Sequence, residues 1–270
     1  MRSWLVICAV CSMHIDAAHP FGDGDGVADE DEDLCEADPL EGLDASTRGA
    51  LTSATALLDA SMSWTLTAAD AARFAASDAG DRASTLGFTT AGGARAMLEH
   101  AAARLAPKNP KRFLDLGSGA GHTVLYFAVL DPSLECVGHE LSAERVASSR
   151  DALRRLDAER PDLDLLNRVA FVQGDMTLAD TSGFDIVWAS TLALGDGLRL
   201  RLAEKLVAEL DAGVVLYSSI KLVAGSSETP LVVANSWSHA HEVDVAVMDA
   251  DTAVAPHLRE AATRRRSADF

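Results

Sequence analysis

From about residue 112 the chain alternates two kinds of apolar pattern. Short, nearly continuous apolar runs ("RFLDLG", "LECVGHE", "RVAFVQGD", "FDIVWAS" and "AGVVLYSSIKL") have the length and content of buried strands. Between them, apolar residues recur at helical spacing in "AGHTVLYFAVL", which ends at Asp131-Pro132, and in "GLRLRLAEKLVAEL". The same spacing runs through "SAERVASSRDALRRLDAE", with Ser142 as N-cap and Pro161 past its end. Strands alternating with helices predict an α/β fold with a parallel, doubly wound sheet. Two final runs, "TPLVVANSWS" and "HEVDVAVMD", stand too close together for a crossover helix. They predict an antiparallel hairpin at the sheet edge.

Ahead of the sheet, residues 46–79 are alanine-rich with helical spacing and predict two short helices. "STLGFTTAGG" reads as a loop, and "ARAMLEHAAARLA" as an amphipathic helix stopped by Pro107 and Pro110. The chain thus divides into a leader (1–18), an acidic linker (19–45), a helical subdomain with a lid (46–110), the α/β domain (111–250) and a tail (251–270).

The leader has Arg2, an apolar stretch from Trp4 to about Met13, and small residues at Ala17 and Ala18. That is the layout of a secretory signal peptide; a frayed apolar leader or a start at Met13 reads equally well. The linker's acids and scarcity of large apolar residues predict disorder. Its "DGDGVADEDED" resembles a calcium loop only superficially, since Val27 occupies a ligand position. Cys8, Cys11, Cys35 and Cys136 suggest neither a disulfide framework nor a zinc site. The net charge of −18 gives no bulk attraction for nucleic acid and suits cationic partners or simple solubility. Arg264, Arg265 and Arg266 read as a solvated tail or a docking patch, and no apolar run reaches membrane-span length.

The chemistry concentrates at "FLDLGSGAGH". A glycine turn between strand and helix brings bare backbone and a helix N-terminus to an anionic or nucleotide ligand. The dinucleotide fingerprint G-x-G-x-x-G fits Gly117 and Gly119 but fails at His122, with Gly121 one residue early, and no P-loop lysine follows. Asp115 stands two residues before the first glycine, where a dinucleotide-binding strand is normally apolar.

Asp115-x-Gly117-x-Gly119-x-Gly121 resembles the first motif of class I S-adenosylmethionine-dependent methyltransferases. The resemblance implies a Rossmann-like sheet and S-adenosyl-L-methionine as cofactor. Asp115 would serve the ammonium, and Gly117, Ser118 and Gly119 the close backbone approach. Glu140, ending the second strand, would grip the ribose hydroxyls. Asp175 would accept from the adenine amine while Met176 packs on the ring. His122 either reaches the cofactor carboxylate or is a plain first-turn residue. Three acids at three successive strand ends, on the ligand edge of such a sheet, support one another.

At the fourth strand, "ASTLALG" and the following "SSIKL" (Ser218, Ser219, Lys221) resemble the disruptor-of-telomeric-silencing family of histone-lysine methyltransferases. "LGFT", from Leu86 to Thr89, resembles that family's upstream loop, with Thr89 as a lid contact. Ser190 and Thr191 stand where the family has asparagines, and would orient the methyl acceptor as hydroxyls. The resemblance implies a basic protein substrate, a histone or nucleosome, and a nuclear location that conflicts with the leader. The basic segment that would hold nucleosomal DNA is not visible. Trp188, Leu192, Leu194 and Phe88 are candidates for an apolar mouth, although each is more simply core. Trp237, His239 and His241 share one strand face; half-buried strand residues, a metal pair without a third ligand, and a base for a hydroxyl substrate are the readings. A small-molecule methyltransferase and a cofactor-binding module without turnover are the alternatives.

Overall fold

Seven strands form one sheet in the order β3-β2-β1-β4-β5-β8-β7 in the computed structural model. The structure describes residues 38–61, 67–76, 88–225, 229–236 and 238–261. The leader, most of the acidic linker with its calcium-like acids, Cys8, Cys11 and Cys35, Leu86 and Gly87, Trp237 and the terminal arginines lie outside the described residues.

Three helices precede the sheet: α1 (Ala45–Ser61), α2 (Ala68–Ala76) and α3 (Ala91–Leu105). The doubly wound part follows as β1 (Arg112–Leu116), α4 (His122–Leu130), β2 (Glu135–Glu140), α5 (Ala143–Glu159), α6 (Leu165–Arg168), β3 (Val169–Gln173), β4 (Ile186–Ala189), α7 (Asp196–Glu209) and β5 (Val215–Ser218). The chain closes with β6 (Val223–Ala224), β7 (Leu231–Asn235), β8 (Ser238–Val247) and β9 (Ala253–Val254). Strands β1 to β5 pair in parallel, and β8 pairs antiparallel with both β5 and β7. The predicted α/β class, edge hairpin and N-terminal helices are all present. The β6–β9 pair, only two residues long on each side, carries no periodicity that a sequence reading detects.

Polar side chains fix the ends of the elements. Thr90 caps α3 by accepting from the Gly93 amide at 3.1 Å, and Ser142 caps α5 by accepting from the Arg145 amide at 3.1 Å. Asp185 accepts from the amides of Lys111 (2.7 Å) and Arg112 (3.1 Å), which sets the entry into β1. Helix α4 is apolar around its circumference because it is covered on all sides: α1 and α3 pack against it and the sheet lies beneath.

One core layer lies on the face carrying α1, α3, α4 and α5, and contains Phe113, Trp188 and Tyr217. The other lies under α7 and contains Leu114, Val187 and Leu216. Residues beyond 250 join this second layer, with Val254 and Leu258 buried in it. The C-terminal ends of β1, β2, β3 and β4 meet at one edge. The strand order reverses between β1 and β4, and ligands of open α/β sheets bind beside such a reversal.

Candidate functional site

The turn from β1 into α4 is possible only because of its glycines. Gly117, Gly119 and Gly121 have φ of +87°, +56° and +94°. A Cβ on Gly121 would stand 2.7 Å from the Phe171 ring. The amides of Gly117 and Ser118 both donate to the His139 carbonyl, at 2.8 and 2.9 Å, and so fold the loop back on the end of β2.

Glu140 holds the same loop from below. Its Oε2 accepts from the Gly119 amide at 2.9 Å and its Oε1 from the Ser142 amide at 2.8 Å. Burial pushes the carboxyl upward, while the Arg145 guanidinium (3.9 Å away) and these amides oppose that rise. A carboxylate offers about four lone-pair sites, more than the Gly119 and Ser142 amides take up.

A second acid completes a chain of hydrogen bonds across the site. Asp70, on α2, is buried; its Oδ2 accepts from the Ser142 hydroxyl at 2.5 Å and its Oδ1 from the Ala143 amide at 3.2 Å. It also pairs with Arg73. Burial pushes this carboxyl up, yet the donors together hold it below its ordinary range. Helix α2 is thereby docked on the N-terminus of α5, and the links run Asp70 to Ser142 to Glu140 to Gly119. Phe74 of α2 stacks under Arg145, whose guanidinium carbon lies 5.6 Å from the ring centroid.

Asp115 is the electrostatic anomaly. It is 1% exposed, and its Oδ1 has no hydrogen-bond partner among the described residues. Burial, and then the neighbouring charge of Glu140, push its carboxyl well above the usual range. The Ser118 hydroxyl, also buried, has no partner either. A buried carboxyl at a strand's ligand edge, with one oxygen unpartnered among the described residues and a glycine turn beside it, is a place prepared for a cationic donor.

His122 opens α4. Its Nε2 lies 3.2 Å from Asp59 of α1, and its ring stacks on Phe88 with centroids 3.6 Å apart and planes 4° from parallel. Burial lowers its basicity, with Asp59 opposing, and its Nδ1 has no partner among the described residues. Thr89, next to Phe88, forms a bridge with Asn235; its buried hydroxyl also lacks a partner.

The remaining predicted residues divide. Asp175 caps a short turn through its Oδ1, which accepts from the amide and the hydroxyl of Thr177 at 2.8 Å each. Met176 is half-buried, its methyl 3.2 Å from a Cβ placed on Gly117. Ser190 is half-buried just past β4, and Thr191 is fully buried with an unpartnered hydroxyl. Of the four apolar residues near the strand ends, Trp188 and Leu194 take the simpler reading and belong to the core layers, Phe88 is engaged by His122, and Leu192 projects, at 44% exposed. Alternation in β4 turns Trp188 onto the α3–α4 face, where packing captures it. Asp70, Asp59 and Asn235 were not anticipated. Thr67, three residues before Asp70, caps α2 and was a readable start signal, but nothing local announces that the acid reaches α5.

No protein-family model matches the chain, and no curated protein matches it. Solved structures do. An RNA methyltransferase from Salinibacter ruber, in complex with S-adenosyl-L-homocysteine, is 20% identical over 58% of this chain and 91% of its own, with a TM-score of 0.42. The pyocyanin biosynthetic protein PhzM is 17% identical over 57% of this chain and 55% of its own, with a TM-score of 0.42. Human N-acetylserotonin methyltransferase, in complex with S-adenosylmethionine, is 12% identical over 58% of this chain and 52% of its own, with a TM-score of 0.40. This chain spans about half the length of the latter two. Likenesses this distant add nothing to the topology, which stands on its own strand order and single antiparallel insertion. The fold is a doubly wound, Rossmann-like α/β sheet with one antiparallel strand, the arrangement that the methyltransferase resemblance implied.

Proposed function

We propose that the protein is an S-adenosylmethionine-dependent methyltransferase and that its methyl acceptor is a lysine amine on a basic protein. The observation that carries the cofactor reading is Asp115, a buried carboxyl set against a glycine turn, its Oδ1 without a partner among the described residues. When bound, the cofactor supplies an electrophilic methyl on a sulfonium. Asp115 would take its ammonium, the open lone pairs of Glu140 its ribose hydroxyls, and Asp175 with Met176 the adenine. The buried hydroxyl of Ser118 and the positive-φ backbone of Gly117 and Gly119 suit a polar ligand at close approach.

On the acceptor side, Ser190 and Thr191 offer hydroxyls at the end of β4. A lysine must shed its proton to solvent before its nitrogen takes the methyl, and desolvation at the strand edge favours the neutral amine. The charge of −18 supports a basic partner. The family resemblance of the "ASTLALG" segment supports the lysine, with Ser190 and Thr191 standing in for the family's asparagines.

The deciding experiment combines the purified chain with methyl-labelled cofactor and, in separate arms, histone octamer, nucleosomes, total RNA and a small-molecule extract. Label on protein lysine supports the proposal. Label confined to RNA or small molecules removes the lysine, and tight S-adenosyl-L-homocysteine binding without any transfer removes the catalysis.

A further inference from the structure

The β7–β8 hairpin runs past the end of the parallel strands. Strand β5 stops at Ser218, paired with Asp244, whereas β7 and β8 stay paired through Val233–His241 to Asn235–Ser238. Two antiparallel steps reverse direction twice, so β7 points the same way as β1 to β5. Its end, Asn235, therefore overhangs the edge where Asp115 and Ser190 emerge.

Residues 88–90 lie against this overhang. The Phe88 carbonyl accepts from the Ser236 amide at 2.9 Å, and the Thr90 amide donates to the Ala234 carbonyl at 3.1 Å. Thr89 and Asn235 are bridge partners, so their side chains stand on one side. That side faces α3, because the Thr89 methyl lies 2.7 Å from a Cβ placed on Gly93. Phe88, the neighbour of Thr89, ties the bridge to the His122 ring at the start of α4.

Asn235 is 6% exposed, and both its Nδ2 and its Oδ1 lack a partner among the described residues. With the Thr89 hydroxyl beside it, three buried polar atoms stand idle at one bridge. A register break between Val233 and Asn235 marks the place where the strand re-aims this side chain. Buried amides are nearly always satisfied, and an idle donor beside an idle acceptor is complementary to another amide.

The geometry points to Asn235 as a specificity residue that reads an amide, the peptide group of a protein methyl acceptor, with Thr89 supporting it. Nδ2 donates to the substrate carbonyl and Oδ1 accepts from its N–H. The inference rests on the protein-acceptor reading above, and it separates Asn235 from the cofactor groups Asp115 and Glu140.

The test uses Asn235→Leu, close in shape and apolar, with Thr89→Val as a second variant. Three quantities are read: the melting temperature of the ligand-free chain, the Kd for S-adenosyl-L-homocysteine, and KM and kcat for transfer to histone octamer. Losing two hydrogen bonds to the acceptor is expected to raise KM roughly 10- to 100-fold while kcat stays within about threefold. Kd stays within about twofold, and the melting temperature holds or rises because an idle polar pair has been removed. A tenfold weaker Kd, an unchanged KM, or a lower melting temperature overturns the assignment. If the unaltered chain labels no octamer, the lysine reading fails by itself. The Asn235 assignment is then decided by the other two quantities: unchanged Kd with undiminished melting upholds a ligand-facing amide outside the cofactor site, and either loss overturns it.

Discussion

Replacing Asp115 by Asn should stabilise the ligand-free protein and disable it. Asp115 is buried, its Oδ1 has no partner among the described residues, and Glu140 adds like charge. An unsatisfied buried polar group costs about 1–3 kcal/mol, and a charged one more. Asn keeps the shape without the charge, so the variant should gain on the order of 1–3 kcal/mol at pH 8. At about 2–4 °C per kcal/mol for a chain of this size, its melting point rises roughly 3–10 °C. The sign follows from linkage. The folded-state carboxyl titrates well above its ordinary value near 3.8, so the folded state retains a proton that the unfolded chain releases. Stability is therefore greatest below that value and falls as pH rises through the folded range. The gap between variant and parent closes near pH 4 and widens toward pH 8. Paired melts across that range measure it. Titration with S-adenosyl-L-homocysteine should show binding weakened roughly 10- to 100-fold, the worth of a charge-assisted hydrogen bond. A variant that melts lower at pH 8, or binds equally well, refutes the assignment of Asp115 as an anchor held at a cost in stability.

Three further outcomes are expected. Gly121→Ala combines φ of +94° with a methyl 2.7 Å from the Phe171 ring, so it should cost about 2–4 kcal/mol in denaturant unfolding and weaken cofactor binding; a change below about 0.5 kcal/mol would show that the turn is not under this constraint. Asp70→Ala strips the acceptor from the Ser142 hydroxyl and the Ala143 amide and should cost about 2–3 kcal/mol; hydrogen exchange should speed up first in residues 68–76, and uniform exchange would argue against local docking. His122 titrates below 6.5 because burial disfavours its charged form, so its contribution is intact above that value and lost as pH falls toward the folded pKa. His122→Gln should flatten the acid limb of the stability profile below about pH 6.5, and an unaltered limb would place the titrating group elsewhere.

Periodicity carried the α/β alternation and the edge hairpin because both are local: strand runs, helical spacing and caps such as Ser142 lie within a few residues of what they govern. The glycine turn was legible for the same reason, and so were the acids at the strand ends. Contacts between distant segments were not. Phe88 meets His122, Asp70 meets Ser142, and Thr89 meets Asn235, each pair dozens of positions apart or more, and nothing in "AADAARF" or "LVVAN" hints at its partner. Trp188 and Leu194 took the simpler of their two readings, core, which the sequence left beside a mouth because an apolar side chain near a strand end reads the same whether it lines a cavity or fills the core. Only the packing of α3, α4 and α7 distinguishes the two.

The hydrogen-bonded series from Asp70 through Ser142 and Glu140 to Gly119 makes two equilibria one. Docking of α2 and occupation of the glycine turn share the Glu140–Ser142 pair, so any ligand that prefers the docked arrangement tightens α2 by the factor that α2 tightens the ligand. Reciprocity of this kind turns a nine-residue helix into a gauge of occupancy. A reporter on α2 would read the ligand's dissociation constant.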